Sequence, residues 1–186
     1  MKNADTLISL IRENLDAEAI TMLYESPELA TARSEEEGQM HGASPLHWAA
    51  HRNAVDLCER LIELGADVND SATRWWLTPL AWAADAGSAE AVDVLLKHNA
   101  DVNQDAVVQT SALHAVAMGG SSGGQDDPHA YRKTAEMLVA HGADVNRRAT
   151  GSHGQTPLDD AIAQENVAVA AVLRNHGAIE SSPPIE

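Results

Sequence analysis

A two-part motif recurs four times along this chain of 186 residues, and it constrains the fold more than any other feature. The first part is similar to Thr-Pro-Leu-His-x-Ala and the second to Gly-Ala-Asp-Val-Asn. The leucine of the first part is Leu46, Leu80, Leu113 or Leu158. The alanine of the second part is Ala66, Ala100, Ala143 or Ala178, and it follows that leucine by thirty residues in the third unit and by twenty in the others. Self-similarity near a period of about 33 residues predicts a stack of helical units, because each unit is too small to bury its own apolar face.

Each unit of this pattern predicts two helices joined by a turn. A Ser or Thr before the first helix serves as its N-cap, and a following Pro, as in Ser44-Pro45, loses only an N–H that has no helical partner. Apolar residues recur at helical spacing in the second helix, as in Leu57-Cys58-Leu61-Ile62. The second helices are expected to end at residues that adopt a left-handed backbone conformation readily. These residues are Gly65, Asn99, Gly142 and Gly177.

The two motifs, recurring in register, resemble those of the ankyrin repeat, as found in small ankyrin-repeat proteins of bacteria. The resemblance implies an all-α solenoid of stacked helix–turn–helix units with hairpin fingers, and it implies that the motif histidines His47 and His114 are structural. We expect residues 1–41 to form a degenerate N-terminal capping repeat. Residues 42–180 are expected to form four repeats, the third with an inserted loop at 121–130, and residues 181–186 a disordered tail.

Composition bears on where the protein works and what it binds. The formal net charge of −16 argues against nucleic acid, which needs clustered Lys and Arg, and suits a partner protein with a basic surface. The alternative is that the acidic residues only keep the outer helices solvated. The first 25 residues include Asp5, Glu13, Asp16 and Glu18 and no apolar run of the signal-peptide type, and no stretch approaches the length of a membrane span. We therefore expect a cytoplasmic protein that contacts no membrane.

The hairpin fingers supply the first group of candidate binding residues, because they line the concave side of such a stack. These finger residues are Met40, His41, Arg74, Trp75, Trp76 and His153. An exposed tryptophan is costly unless it anchors a partner or ligand, and we expect Trp75 to be the more exposed of the adjacent pair. The alternative is that Trp76 packs on the neighbouring finger.

The first helices of the units supply a second group. Trp48 and Trp82 occupy equivalent positions in consecutive units and are expected to be neighbours, with core packing as the alternative to a binding role. In the fourth unit this position is Asp160, beside Asp159, and two acids on an inner helix contribute nothing to packing. Four further binding candidates lie at the far ends of these helices: His51, Arg52, Asp85 and Met118. The first three are candidates for one shared groove.

The ten extra residues at 121–130 distinguish the third unit. Their glycines and serines predict a mobile loop, and Asp126, Asp127 and His129 add carboxylate and imidazole groups beside the groove. The loop is either a tolerated surface insertion, which costs little loop entropy, or a lid or partner contact.

Metal and cofactor sites are not predicted. The histidines that neither the motif nor a helix end explains are His41, His51, His129 and His153, and their spacing fits no metal-ligand pattern. The chain also carries no nucleotide-binding loop and no nucleophile motif.

Two functions remain open. The first, which the resemblance favours, is a module that binds another protein in its groove as a regulator, a scaffold or an immunity-type inhibitor. The second is an enzyme or small-molecule-binding protein with a pocket built from the four tryptophans and covered by the loop. Its catalytic candidates are His51, Asp85, Asp159, Asp160 and His129. A deep pocket above Trp48 and Trp82 would favour the second function and a broad open groove the first, since an open groove excludes water poorly.

Overall fold

The computed structural model of this chain describes residues 3–34, 42–71, 77–104, 111–119, 127–149 and 154–181. Within these ranges the chain forms ten α-helices and a short 3₁₀ helix, Pro27–Thr31. The α-helices are α1 Ala4–Arg12, α2 Asp16–Glu25, α3 Pro45–His51, α4 Val55–Glu63, α5 Pro79–Asp85, α6 Ala89–Lys97, α7 Ala112–Met118, α8 Pro128–Ala140, α9 Pro157–Ala163 and α10 Val167–Asn175. The fold is an all-α solenoid, as the sequence predicts.

Five consecutive helix pairs build this solenoid in two layers. The first helices of the pairs, from α1 to α9, pack on one another in an inner layer, and the second helices, from α2 to α10, pack in an outer layer. The seam between the layers is filled by leucines that recur once per unit in each layer. These leucines are Leu46, Leu80, Leu113 and Leu158 in the inner helices and Leu61, Leu95, Leu138 and Leu173 in the outer helices, all at most 1% exposed.

The inner helices begin at the predicted caps. Ser44 N donates to His47 Nδ1 at 3.2 Å, so the imidazole proton lies on Nε2, which donates to the carbonyl of Leu77 in the next unit at 3.0 Å. His114 makes the same pair of bonds, to Ser111 and to the carbonyl of Gln155. The motif histidine therefore joins one unit to the next, which confirms its structural role. Burial lowers the pKa of His47 to about 4, against an opposing effect of Asp70.

The outer helices end as the sequence predicts, and the motif asparagines then join neighbouring units. Gly65, Asn99, Gly142 and Gly177 all have positive φ, between 64° and 93°. After each of the first three, an asparagine side chain accepts from a backbone N–H one unit further on. The pairs are Asn69 with Asp101, Asn103 with Asp144 and Asn146 with Ile179, at 2.8–2.9 Å.

The third unit differs from its prediction at the end of the insertion. Helix α8 begins at Pro128, and the carboxylate of Asp127 accepts from the N–H groups of His129 and Ala130 at 2.9 and 3.3 Å. Residues 128–130 are thus the first turn of a helix rather than part of a loop. An Asp-Pro pair supplies both an N-cap and a favourable first helical residue, which explains the earlier start. Residues 121–126, with Asp126, lie outside the described residues.

Candidate functional site

An aromatic cluster lies on the inner helices α3 and α5. The rings of Trp48 and Trp82 meet edge to face, with centroids 5.3 Å apart and planes at 85°, which confirms that they are neighbours. The imidazole of His51 lies 6.3 Å from the ring of Trp48 and 6.1 Å from that of Trp82. Trp82 is only 9% exposed, so it contributes to the core as well as to the cluster. The two indoles therefore contact each other directly between α3 and α5.

Two arginines connect the first helix pair with the region of the cluster. They are Arg12 at the end of α1 and Arg52 directly after α3. The guanidinium of Arg12 lies 4.8 Å from the ring centre of Trp48, a cation–π contact. Arg52 donates to the carboxylate of Asp16 at 3.0 Å and to the carbonyl of Ile11, so it joins α3 to the first pair. Arg52 is therefore occupied inside the fold, whereas the sequence suggested it for binding. The buried Nε1 of Trp48 has no hydrogen-bond partner among the described residues.

Asp85 and Met118 extend this surface along α5 and α7. They occupy the same position in their units as His51, and all three side chains are half-buried. Burial raises the pKa of the Asp85 carboxyl, although nearby His51 opposes the shift. The row His51, Asp85 and Met118 therefore runs across three successive inner helices and faces solvent in part.

The adjacent acids Asp159 and Asp160 of α9 have opposite environments. Burial would raise the pKa of Asp159, but hydrogen bonds from Ser181 and Thr156 outweigh it and lower the pKa. Those bonds are 2.6 and 2.9 Å long from Ser181 and 2.7 and 2.8 Å from Thr156. Burial, with the charge of Asp159, raises the pKa of Asp160 to about 6. Asp159 therefore caps its helix and holds the C-terminal segment, and Asp160 is a carboxyl without such support.

Hydrogen bonds and ion pairs distinguish the aspartates that are used within the fold from those that remain candidates for binding. Among the described residues, most aspartates that are not fully exposed accept a hydrogen bond or form an ion pair. These paired aspartates are Asp5 with Ser34, Asp16 with Arg52, Asp70 with Arg33, Asp93 with Lys97, and Asp159 with Thr156 and Ser181. The two exceptions in the described ranges are Asp85 and Asp160, and both lie on inner helices.

Comparison with known families agrees with the helical stack. The family model for ankyrin repeats (3 copies) matches residues 7–106, more than half of the chain. This is an ankyrin-repeat protein. Ankyrin repeats mediate protein–protein interaction, so the inner helices belong to a fold used for binding other proteins. None of the curated proteins matches the sequence.

Several predicted site residues of this ankyrin-repeat protein lie outside the residues that the structure describes. They are Met40, His41, Arg74, Trp75, Trp76, Asp126 and His153, and their roles stay predictions. Of the remaining two candidates, Asp127 caps α8, and His129 is exposed in the first turn of that helix. The structure adds Arg12, which the sequence analysis missed because nothing local indicates that the end of α1 reaches Trp48.

Within the described ranges, no helix has both the length and the apolar character needed to cross a membrane. In the same ranges, no group of three or more His, Cys, Asp or Glu side chains is arranged to hold a metal ion.

The contrast between the two acids of α9 leads to a prediction. We expect Asp160→Asn to stabilise the protein at pH 7 by about 1–2 kcal/mol, less than the full pKa shift implies because solvent screens the charge in part. The folded-state pKa of about 6 lies above the usual 3.8, so the folded state binds more protons between these values. Stability is therefore lost as the pH rises through this window, and Asn avoids the loss. Urea unfolding at about pH 3.5 and pH 7 measures the difference, which should vanish at the lower pH.

Asp159→Asn is the matched control for that prediction. Its carboxylate accepts four hydrogen bonds, and an amide offers a single acceptor oxygen for them. The control should therefore lose stability at pH 7. Destabilisation by both substitutions would contradict the assignment of Asp160 as an unsupported buried carboxyl.

Proposed function

We propose that this protein binds another protein through its inner face, defined here as the side of the inner layer turned away from the outer helices. The observation that carries the proposal is the pairing of its carboxylates. Among the described residues, Asp85 and Asp160 have no pairing partner and lie on inner helices, whereas the other described aspartates with buried surface are used within the fold. Partly desolvated groups without partners cost free energy in the free protein, and a binding partner offsets that cost.

The charge of the chain supports a partner with a basic surface. The formal net charge is −16, and a field of this sign attracts a positively charged protein and accelerates its association. On the inner face, Asp85 adds a local negative charge beside the aromatic cluster of Trp48, His51 and Trp82. Aromatic side chains next to a charged group are typical of the residues that dominate binding energy.

The proposed role is that of a regulator or inhibitor rather than a scaffold. The aromatic cluster and the unsupported acids of the described ranges all lie on inner helices, from His51 on α3 to Asp160 on α9. A single binding face suits a protein that acts by covering a surface of its partner. A scaffold needs two separate faces, one for each protein that it joins.

Affinity capture from the native host with four versions of the chain tests this function. We expect a basic protein to be retained by the wild type and by the outer-helix control Glu63→Ala. Trp75→Ala and His51→Ala should weaken its binding, Trp75→Ala by about 2 kcal/mol or more, as expected for a central aromatic anchor. Calorimetry with the purified partner measures the change.

Folding of each variant is checked by thermal melting, so that loss of binding is not confused with loss of structure. Retention of the partner by both Trp75→Ala and His51→Ala and its loss with Glu63→Ala would place the binding site on the outer helices. A Trp75→Ala chain that unfolds, with normal binding by its folded fraction, would likewise remove Trp75 from the binding surface.

A further inference from the structure

Asp85 lies in a row of side chains that differ in size and chemistry. His51, Asp85 and Met118 follow one another on α3, α5 and α7, and each is half-buried. One residue further along, α5 is followed by Ala86 and α7 by Gly119, and neither presents a side chain beyond Cβ. Asp85 lies between His51 and Met118 in this row and is partly accessible to solvent.

The neighbours of Asp85 in this row differ in chemistry. On α3, the imidazole of His51 lies edge to face with the rings of Trp48 and Trp82, at 6.3 and 6.1 Å. On α7, Met118 offers an apolar side chain, and the segments that follow α5 and α7 pack on Tyr131 of the outer helix α8 at Gly87 and Gly119. A side chain that reaches Asp85 from solvent therefore has an aromatic cluster on one side and an apolar side chain on the other.

Among the described residues, the carboxylate of Asp85 forms no hydrogen bond and no ion pair. The neighbouring group that acts on it electrostatically is His51. Arg52, which follows His51 in the sequence, is bound to Asp16 and Ile11. The chain therefore presents a partly desolvated negative charge to whatever binds the inner face.

We propose that Asp85 receives an arginine side chain of the partner protein, with the guanidinium on the carboxylate and its flat face against His51. This inference rests on the proposed function and names the group that the inner face recognises. Arginine fits better than lysine, because a guanidinium donates two parallel hydrogen bonds to a carboxylate and stacks on an aromatic ring. The methylene stem of the arginine packs on Met118, and the net charge of −16 favours its approach.

A peptide titration of the full chain tests this recognition. The probes are acetyl-(Gly-Arg)4-amide and two versions in which lysine or citrulline replaces arginine, and binding is followed by amide chemical shifts at about 150 mM salt. Citrulline keeps the shape of arginine and lacks its charge. We expect the arginine peptide to shift the signals of His51, Asp85 and Met118 and to bind at least about threefold more tightly than the lysine peptide. The citrulline peptide should not bind measurably.

Two charge-matched variants separate local recognition from overall attraction. Asp85→Asn should weaken binding of the arginine peptide at least about tenfold and leave the fold intact, because it removes a partly buried charge. Asp56→Asn, an exposed aspartate on the outer helix α4, should change binding less than about twofold. Equal weakening by the two variants, or shifts centred on the outer helices, would overturn the proposal.

The native partner distinguishes this inference from the function on which it rests. A captured protein that is lost with Trp75→Ala or His51→Ala and retained with Asp85→Asn would leave the proposed function intact and refute the role of Asp85. Loss of the captured protein with Asp85→Asn, where neither added salt nor a change of pH restores binding, would support that role. Capture through the outer helices would refute both.

Discussion

Leu95→Ala and Leu138→Ala are each expected to lower the free energy of unfolding by about 2–5 kcal/mol, the usual cost of deleting a buried leucine side chain. Both leucines are fully buried between the layers, Leu95 on α6 and Leu138 on α8. In a stack of this kind each unit is stabilised by its neighbours, so the cavity weakens contacts to the units on either side as well. Urea denaturation monitored by circular dichroism measures the change.

Val167→Ala is the control for these two substitutions. It also shortens an apolar side chain on an outer helix, but Val167 is 77% exposed at the start of α10. We expect it to change the free energy of unfolding by less than about 0.5 kcal/mol, as is usual for a surface substitution. Changes below about 0.5 kcal/mol at both leucines would contradict the assigned register of the outer helices.

Much of the fold follows from the sequence because each unit repeats the same local solution. The spacing from the motif leucine to the motif alanine fixes the helix pair, and the structure buries the same leucine in each unit from Leu46 to Leu158. The left-handed residue that ends each outer helix is equally local, as at Gly65 and Asn99. Signals contained within one unit are therefore sufficient for the architecture.

Contacts between units, and contacts with the chain ends, could not be predicted from the sequence. Asp159 and Asp160 look alike in sequence. Thr156, three residues earlier, donates two hydrogen bonds to Asp159, and the other two come from Ser181, which lies 22 residues later. Arg52 looked available for binding because its partner Asp16 lies 36 residues earlier, in the first helix pair. Neither pairing has a local signature, since both depend on where distant segments meet.

The candidate site was predicted in part. The adjacency of Trp48 and Trp82 follows from their equal positions in consecutive units and is confirmed. The binding roles of Trp75 and the other finger residues stay predictions, because the structure does not describe those positions. The state of Asp85, half-buried and without a pairing partner among the described residues, appears only when the inner helices are packed side by side.

Gly119→Ala is expected to destabilise the protein by about 1–3 kcal/mol through overpacking. The φ of Gly119 is −52°, so its backbone suits any residue and the cause must be steric. A Cβ at this position would lie 2.5 Å from Cε1 and 2.9 Å from Cδ1 of Tyr131. The Tyr131 ring has little room to retreat, since it is 3% exposed and also contacts Gly87.

A double-mutant cycle with Tyr131→Ala identifies the cause of this destabilisation. In the Tyr131→Ala background the ring is absent, and the close contact that remains for a methyl group at position 119 is the carbonyl oxygen of Val116, at 3.0 Å. Gly119→Ala should then cost less than it does beside the ring, with a coupling energy of about 1 kcal/mol or more between the two positions. Urea unfolding of the four chains supplies the cycle. The same cost in both backgrounds would mean that the effect arises from the backbone of the third unit, and Gly119 would no longer be explained as the space that Tyr131 requires.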